Sequence, residues 1–308
     1  MNPPQRSSFM YVASLVFLGA ILYSTKAIFV KLAYRYEVPG ISLLALRMLF
    51  ALPLYLTALY LANTRRSTPP LALRRRDWAY VGLIGVTGYY VASITDFWGL
   101  RYVTASIERL ILFTYPTLVL LFSVLFFRER IRSLQIIAIL LTYAGIALTL
   151  SEELDWQQSA DFVRGVGWVS LSALSFSLYI LLGGRLIQKF GTLRFTVFVM
   201  LSAAVAILVH HYTIYGWQLF HFAPAVYGYA FLMGLLSTFV PSFLISEGLR
   251  QIGANNTAII SSIGPVSTIV LAYLFLGETL TQRQWLGTVL VIGGILVIST
   301  QKKPRVTD

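Results

Sequence analysis

The chain has 308 residues, of which 57% are hydrophobic and 12% charged, with a net charge of +12 and no cysteine. A soluble domain is roughly 45–50% apolar and about 25% charged, so this composition cannot build a water-facing coat, and the mean hydropathy of +0.74 points to a membrane instead. The lack of cysteine excludes disulfides, thiolate metal sites and a cysteine nucleophile.

A spanning helix needs about 20 mainly apolar residues. The first run covers 9–31; its core, Phe9 to Val30, is too long for a signal-peptide core and ends at no small-residue cleavage site. It carries Tyr23 and Lys26, three residues apart and therefore on one helical face. The second run, 41–62, contains Arg47, and a connector with Arg65, Arg66, Arg74, Arg75 and Arg76 follows it. In the third, 78–99, Tyr89, Ser93 and Asp96 fall at i, i+4 and i+7, with Tyr90 adjacent. The fourth, 106–127, opens with Glu108 and Arg109 and holds Tyr115 and Pro116 near its middle, and the fifth covers 134–151.

After an acidic connector with Glu152, Glu153, Asp155 and Asp161, the sixth run, 165–187, places Ser172, Ser175 and Tyr179 on one face. The seventh, 194–215, leads into a loop region with His210, His211 and His221. Neighbouring His210 and His211 point to different helical faces, which is poor geometry for a shared metal, and surface positions are expected for all three histidines. The eighth run, 225–247, aligns Thr238, Ser242 and Ser246 and ends beside Glu247 and Arg250. The ninth, 256–276, aligns Thr257, Ser261, Gly264 and Thr268 around Pro265, and the tenth covers 284–300.

With a cytoplasmic N-terminus, the inner connectors carry most of the arginine and lysine, including Arg65 to Arg76, Arg128, Arg130, Arg132, Arg185, Lys189 and Arg194, while the longest outer loop is acidic. That asymmetry predicts both termini in the cytoplasm. Topology accounts for the basic charge, and no nucleic-acid partner is called for.

The chain repeats itself 149 residues on. Gly99-Leu100-Arg101 recurs as Gly248-Leu249-Arg250, and Gly85, Ala105, Pro116, Glu129, Gln135 and Gly145 match Gly234, Ala254, Pro265, Glu278, Gln284 and Gly294 without a gap. Two five-helix halves, 1–151 and 152–308, follow from this. Because five is odd, the second half enters the membrane from the opposite side, giving an all-α protein of ten transmembrane helices in two inverted-topology repeats. Such halves suit alternating access, in which a site between them opens to one side and then the other.

The paired halves, a proline in the fourth and ninth spans and a glutamate closing each of them (PTLVLLFSVLFFRERI beside PVSTIVLAYLFLGETL) resemble the drug/metabolite transporter superfamily, EamA family, over nearly the whole chain. The first-helix segment LGAILYSTKAIFVKLAY and LLALRMLFALPLYL fit the same pattern. The resemblance implies a bundle around a central cavity, residence in a bacterial inner membrane, and movement of amino acids or related metabolites, with export favoured.

Pro116 and Pro265 each remove a backbone hydrogen bond inside a span, and read either as paired hinges or as static kinks. Lys26 and Arg47 each cost roughly 2.5–3.5 kcal/mol near the bilayer centre, and Asp96, Glu108 and Arg109 lie at a similar height. This group reads as an outer gate, a substrate-binding cluster or a permanent network, with Glu247 and Arg250 as the opposite gate. Expected substrate contacts are Tyr23, Lys26, Tyr89, Tyr90, Tyr115, Tyr179, Ser242 and Ser261. For Lys26, neutralisation of Asp96 or Glu108 is the competing role. A small-molecule substrate and the lipid bilayer are the expected partners, and no cofactor is expected. Proton coupling through Asp96, Glu108 or Glu247, the substrate and the oligomeric state are left open by the residues. No GxxxxGK[ST] loop is present, so ATP hydrolysis by this chain is not expected. A membrane enzyme or translocase acting on lipid-linked substrates is the alternative to a transporter.

Overall fold

A computed structural model describes residues 6–65, 75–127, 133–151, 159–252, 260, 261 and 263–299. Among them the regular structure is helical: α1 (Arg6–Tyr34), α2 (Gly40–Arg65), α3 (Arg75–Ile84), α4 (Val91–Gly99), α5 (Ala105–Leu112), α6 (Tyr115–Phe127), α7 (Ser133–Leu150), α8 (Ser159–Phe190), α9 (Thr192–Tyr215), α10 (Pro224–Gly234), α11 (Val240–Gln251), α12 (Ile263–Leu276) and α13 (Gln282–Ser299). Six stretches are long and apolar enough to cross a membrane: Phe9–Tyr34, Gly40–Leu61, Ala105–Phe126, Ala160–Gly183, Leu193–Tyr215 and Pro224–Ile245. The remaining predicted spans, 78–99, 134–151, 256–276 and 284–300, correspond to α3–α4, α7, α12 and α13. Large apolar side chains such as Leu125, Phe126, Leu140, Val205, Tyr273 and Leu286 face outward. A soluble protein would avoid such a surface, whereas lipid matches it.

Two spans depart from regular α-helix at equivalent places. A π turn, Gly85–Tyr90, joins α3 to α4, and another, Leu235–Phe239, joins α10 to α11. The extra residue in such a turn rotates everything beyond it. The hydroxyl of Thr238 reaches back five residues to the Met233 carbonyl at 2.9 Å, satisfying an acceptor that the widened turn disturbs. In the first turn Gly88 is required, since a Cβ would stand 2.6 Å from Cβ of Tyr179.

Equivalent contacts are exchanged between the halves. Gly85 lies against Val199 and Ser202 of α9, while Gly234 lies against Arg47, Phe50 and Ala51 of α2. Gly145 of α7 meets Gly287 and Val291 of α13, and Gly294 meets Ala138 and Thr142 in return. As one residue number rises the other falls, so α7 and α13 pack antiparallel, at backbone-to-backbone distance. Small residues permit that approach. Gly191, at φ +74°, turns the chain from α8 into α9 within one residue, a conformation that L side chains rarely adopt.

Candidate functional site

The Lys26 ammonium on α1 donates to Asp96 Oδ2 of α4 at 2.6 Å and to Glu108 Oε1 of α5 at 3.0 Å. Local folding positions all three. Thr104 caps α5 by accepting from the Ile107 N–H at 3.2 Å, which starts the helix at Ala105, three residues before Glu108. The Glu108 side chain is 0% exposed and that of Asp96 4%. Two carboxylates removed from water are tolerable only beside a cation, and Lys26 supplies it to both. Of the cations expected in an ion-pair cluster, Lys26 is the one that pairs here, and its single charge is shared between the two acids. Asp96 Oδ1 and Glu108 Oε2 are buried without a hydrogen-bond partner.

Arg47 and Arg109 sit near this triad without joining it. The Arg47 guanidinium lies 5.3 Å from the centre of the Phe97 ring and donates a long bond of 3.4 Å to Ser93 Oγ. The Arg109 guanidinium lies 5.0 Å from the centre of the Phe113 ring, and one terminal nitrogen lies 2.8 Å from where a Cβ on Gly264 would stand. Their Nε atoms are buried and unpartnered. Among the described residues, no carboxylate forms an ion pair with either arginine.

Tyrosines gather beside these cations. Tyr23 is within electrostatic reach of Tyr89, Tyr179, Arg47 and Arg109, and Arg109 is within reach of Tyr115. The Tyr89 and Tyr179 rings meet edge to face at 6.3 Å, and Phe176 lies between Tyr115 and Tyr179 at 5.3 and 5.6 Å. These residues come from α1, the first π turn, α6 and α8, so the cluster lies on the seam between the halves. Tyr90 is not brought into it: its hydroxyl pairs with His210 Nδ1 at 2.6 Å on α9. Consecutive residues on a helix point about 100° apart, which separates Tyr90 from Tyr89.

The surface assignment of the histidines is corrected for His211. It is 3% exposed, stacks on Tyr215 and pairs through Nδ1 with Ser42 Oγ at 3.1 Å. Its face of α9 packs on α2, a contact the apolar pattern could not reveal. His221 is exposed, and no metal-binding group occurs among the described residues.

The seam is held by polar contacts as well. Ser24 Oγ donates to the Gly264 carbonyl at 2.9 Å, and Thr25 Oγ1 pairs with Ser237 Oγ at 2.8 Å. Glu278, after α12, accepts from the Ala105 and Ser106 N–H groups at 2.9 and 3.1 Å and from Ser106 Oγ at 2.9 Å. It therefore clasps the start of α5 in the other half. Toward the opposite end of α1, Val12 and Val16 pack on Ile252. Glu247 accepts from Gln251 one turn along α11, and the Arg250 side chain lies outside the described residues.

Pro116 is the second residue of α6 and Pro265 the third of α12. The fourth span is interrupted at Phe113 and Thr114, and Thr114 Oγ1 donates to the Ile111 carbonyl at 2.7 Å. The helix restarts at Tyr115, so Pro116 falls in a first turn, where a missing N–H costs nothing. Ser261 Oγ, just ahead of α12, is buried without a partner. Ser242 accepts from the Tyr55 hydroxyl at 3.0 Å.

Tyr55 and Glu278 carry roles not assigned from sequence. Tyr55 is 1% exposed, donates to Ser242 Oγ, and its ring meets those of Phe239 and Phe243 at 5.2 and 6.2 Å. In an apolar span a lone tyrosine reads equally well as interfacial packing. Glu278 was legible as a repeated position, matched to Glu129, but only the tertiary fold brings it to α5.

The profile of the EamA-like transporter family matches residues 10–151 and again 163–300. The uncharacterized transporter YcbK of Bacillus subtilis (strain 168) is 28% identical over 302 residues, covering 95% of this chain and 93% of its own. An uncharacterized transporter of Archaeoglobus fulgidus is 25% identical over 292 residues, covering 93% and 96%. The uncharacterized inner membrane transporter YicL of Salmonella typhimurium is 26% identical over 240 residues, covering 75% and 76%. One crystal structure superposes with a TM-score of 0.65 at 19% identity, over 96% of this chain and 98% of the other, a likeness of fold.

Proposed function

Because this chain belongs to the EamA-like transporter family, we propose that it is a secondary transporter that moves a small organic solute across the cytoplasmic membrane by alternating access. The observation that carries this reading is the cluster of Tyr23, Tyr89, Tyr115 and Tyr179 with Arg47 and Arg109, partly buried on the seam between two repeated halves. A polar site at that level is expensive in a membrane protein and is built where a solute passes.

The architecture under this proposal is ten spans in two inverted repeats, 1–151 and 152–308, with both termini cytoplasmic. The antiparallel packing of α7 on α13 supports the inversion, as do the mutual contacts of Gly85 with α9 and Gly234 with α2. The Lys26–Asp96–Glu108 triad and the Glu278 clasp serve as the gate on one side, and Glu247 with Arg250 as the gate on the other. Phe113 to Pro116, with the repeat-related Pro265, provides the hinges. The favoured substrates are amino acids or related metabolites, and the favoured direction is export. Two carboxylates share one ammonium in the triad, which leaves an acid free to carry a proton if transport is coupled.

Counterflow of labelled metabolite pools into liposomes holding the purified chain tests the function. Single cysteines at Asp161 and Arg75, both exposed, test the topology. An impermeant thiol reagent should label the first in intact cells and not the second. No counterflow of any pool, together with accessibility that never changes sides at Ser24→Cys, would sink the transporter mechanism.

A further inference from the structure

We infer that the transported solute is an organic anion, and that Arg47 and Arg109 hold its carboxylate at the tyrosine-lined seam. The inference rests on the transporter reading and narrows its substrates: of amino acids and related metabolites it selects those with a net negative charge, not the zwitterions.

The buried charges do not balance. Lys26, Arg47 and Arg109 face Asp96 and Glu108, three cations against two carboxylates. Both carboxylates are held by the lysine, at 2.6 and 3.0 Å. The arginines remain, and neither has an ion-pair partner among the described residues. A guanidinium cannot shed its proton to escape burial, so each either pairs with an anion or remains a standing penalty.

The aromatic contacts do not remove that penalty. The Phe97 and Phe113 rings lie 5.3 and 5.0 Å from the two guanidinium carbons. A ring face attracts a cation but offers no lone pair to an N–H. Both Nε donors are buried without a partner, and among the described residues the 3.4 Å bond from Arg47 to Ser93 is the one hydrogen bond either guanidinium makes. A guanidinium edge matches a carboxylate, which it can bind with two parallel bonds.

Both arginines border the tyrosine cluster. Arg47 bonds to Ser93, one helical turn along from Tyr89, and Arg109 lies beside Phe113, whose ring meets that of Tyr115 at 5.8 Å. Tyr23 lies within electrostatic reach of both arginines and of Tyr89 and Tyr179. The hydroxyls of Tyr23, Tyr89, Tyr115 and Tyr179 have no hydrogen-bond partner among the described residues. They supply further donors to an anion, and their rings suit an apolar or planar body. A singly charged solute brings the five buried charges to neutrality. A neutral or cationic solute leaves the arginines as they are.

Lys26 does not compete for this role in the conformation seen. Its three donors already serve two acids, and an anion placed on it would face Asp96 and Glu108 at close range.

The test uses the purified full-length protein in detergent. Thermal stability is measured against pools of aliphatic and aromatic monocarboxylates, and against pools of their amides, their amines and the matching zwitterionic amino acids. The monocarboxylate pool should raise the melting temperature, and the other three should do so far less. Arg47→Gln and Arg109→Gln should each weaken the response roughly 30-fold in apparent affinity, the loss of a charge-assisted bond. Arg109→Met should also raise the ligand-free melting temperature, because it deletes a buried cation that has no partner; a merely structural arginine would lower it. Arg47→Lys and Arg109→Lys keep the charge but not the fork, and should retain a reduced response. Equal stabilisation by amides, amines or amino acids overturns the inference, as does an undiminished carboxylate response in both glutamine variants. If neutral or zwitterionic solutes show counterflow and carboxylates do not, the charge assignment fails while the transporter reading stands.

Discussion

Removing the charge from Glu278 should loosen the clasp between the halves by a calculable amount. The carboxylate accepts three bonds from the start of α5, at 2.9, 3.1 and 2.9 Å, spread over both oxygens. Glu278→Gln keeps one carbonyl oxygen and turns an amide N–H₂ toward donors, so one acceptor is lost and the rest lose charge assistance. A bond to a charged group contributes about 1.5–3 kcal/mol and a neutral one about 0.5–1.5 kcal/mol; the α5 N-terminus adds roughly 0.3–1 kcal/mol for a negative charge. Glu278 is only half-buried, and screening holds the net loss to about 2 kcal/mol, or roughly a 30-fold rise in the open fraction. The chain has no cysteine, so Ser24→Cys provides a single reporter. Ser24 is 1% exposed and lies on the seam against Gly264, so a thiol there reacts only when the halves part. The reporter should react roughly 30 times faster with Glu278→Gln than without it, at unchanged melting temperature of the remainder of the fold. Equal rates in the two backgrounds would refute the clasp.

Lys26→Met leaves two buried carboxylates without a cation and should destabilise the protein by about 3–5 kcal/mol. Adding Asp96→Asn and Glu108→Gln to that variant should recover most of the loss in thermal unfolding. Tyr89→Phe and Tyr179→Phe remove hydroxyls at little packing cost and should raise the apparent substrate constant roughly 5- to 10-fold, as loss of about 1 kcal/mol implies, with expression unchanged. Gly145→Val drives a side chain into the Gly287 carbonyl, 2.5 Å from a Cβ at that position. It should lower stability by at least the ~1–3 kcal/mol typical of overpacking, whereas Gly293→Ala, with nothing within 4 Å, should be neutral or stabilising.

Much of the fold was legible because a bilayer simplifies the problem. Apolar length marks where helices lie, and a repeat without gaps marks where the halves divide. The family profile matches 10–151 and again 163–300. The same simplicity hides interior detail. Tyr55, Tyr90 and Tyr143 occupy similar apolar contexts, yet Tyr55 is 1% exposed, Tyr90 pairs with His210, and Tyr143 is 40% exposed. Hydropathy weighs each residue alone and cannot say which face of a helix meets which neighbour.

The amino-acid sequence alone determined that the chain lives in a membrane, that it consists of two similar halves, and which charges lie within the spans. Those properties follow from counts and periods along one dimension. Tertiary structure decided how the charges divide. It gave Lys26 to both Asp96 and Glu108, left Arg47 and Arg109 beside aromatic rings without an ion pair among the described residues, and brought Glu278 to the start of α5. Each outcome depends on distances of a few ångströms between helices far apart in sequence. Coulomb and hydrogen-bond energies change over that range from decisive to negligible, and residue spacing along the chain carries no information about it.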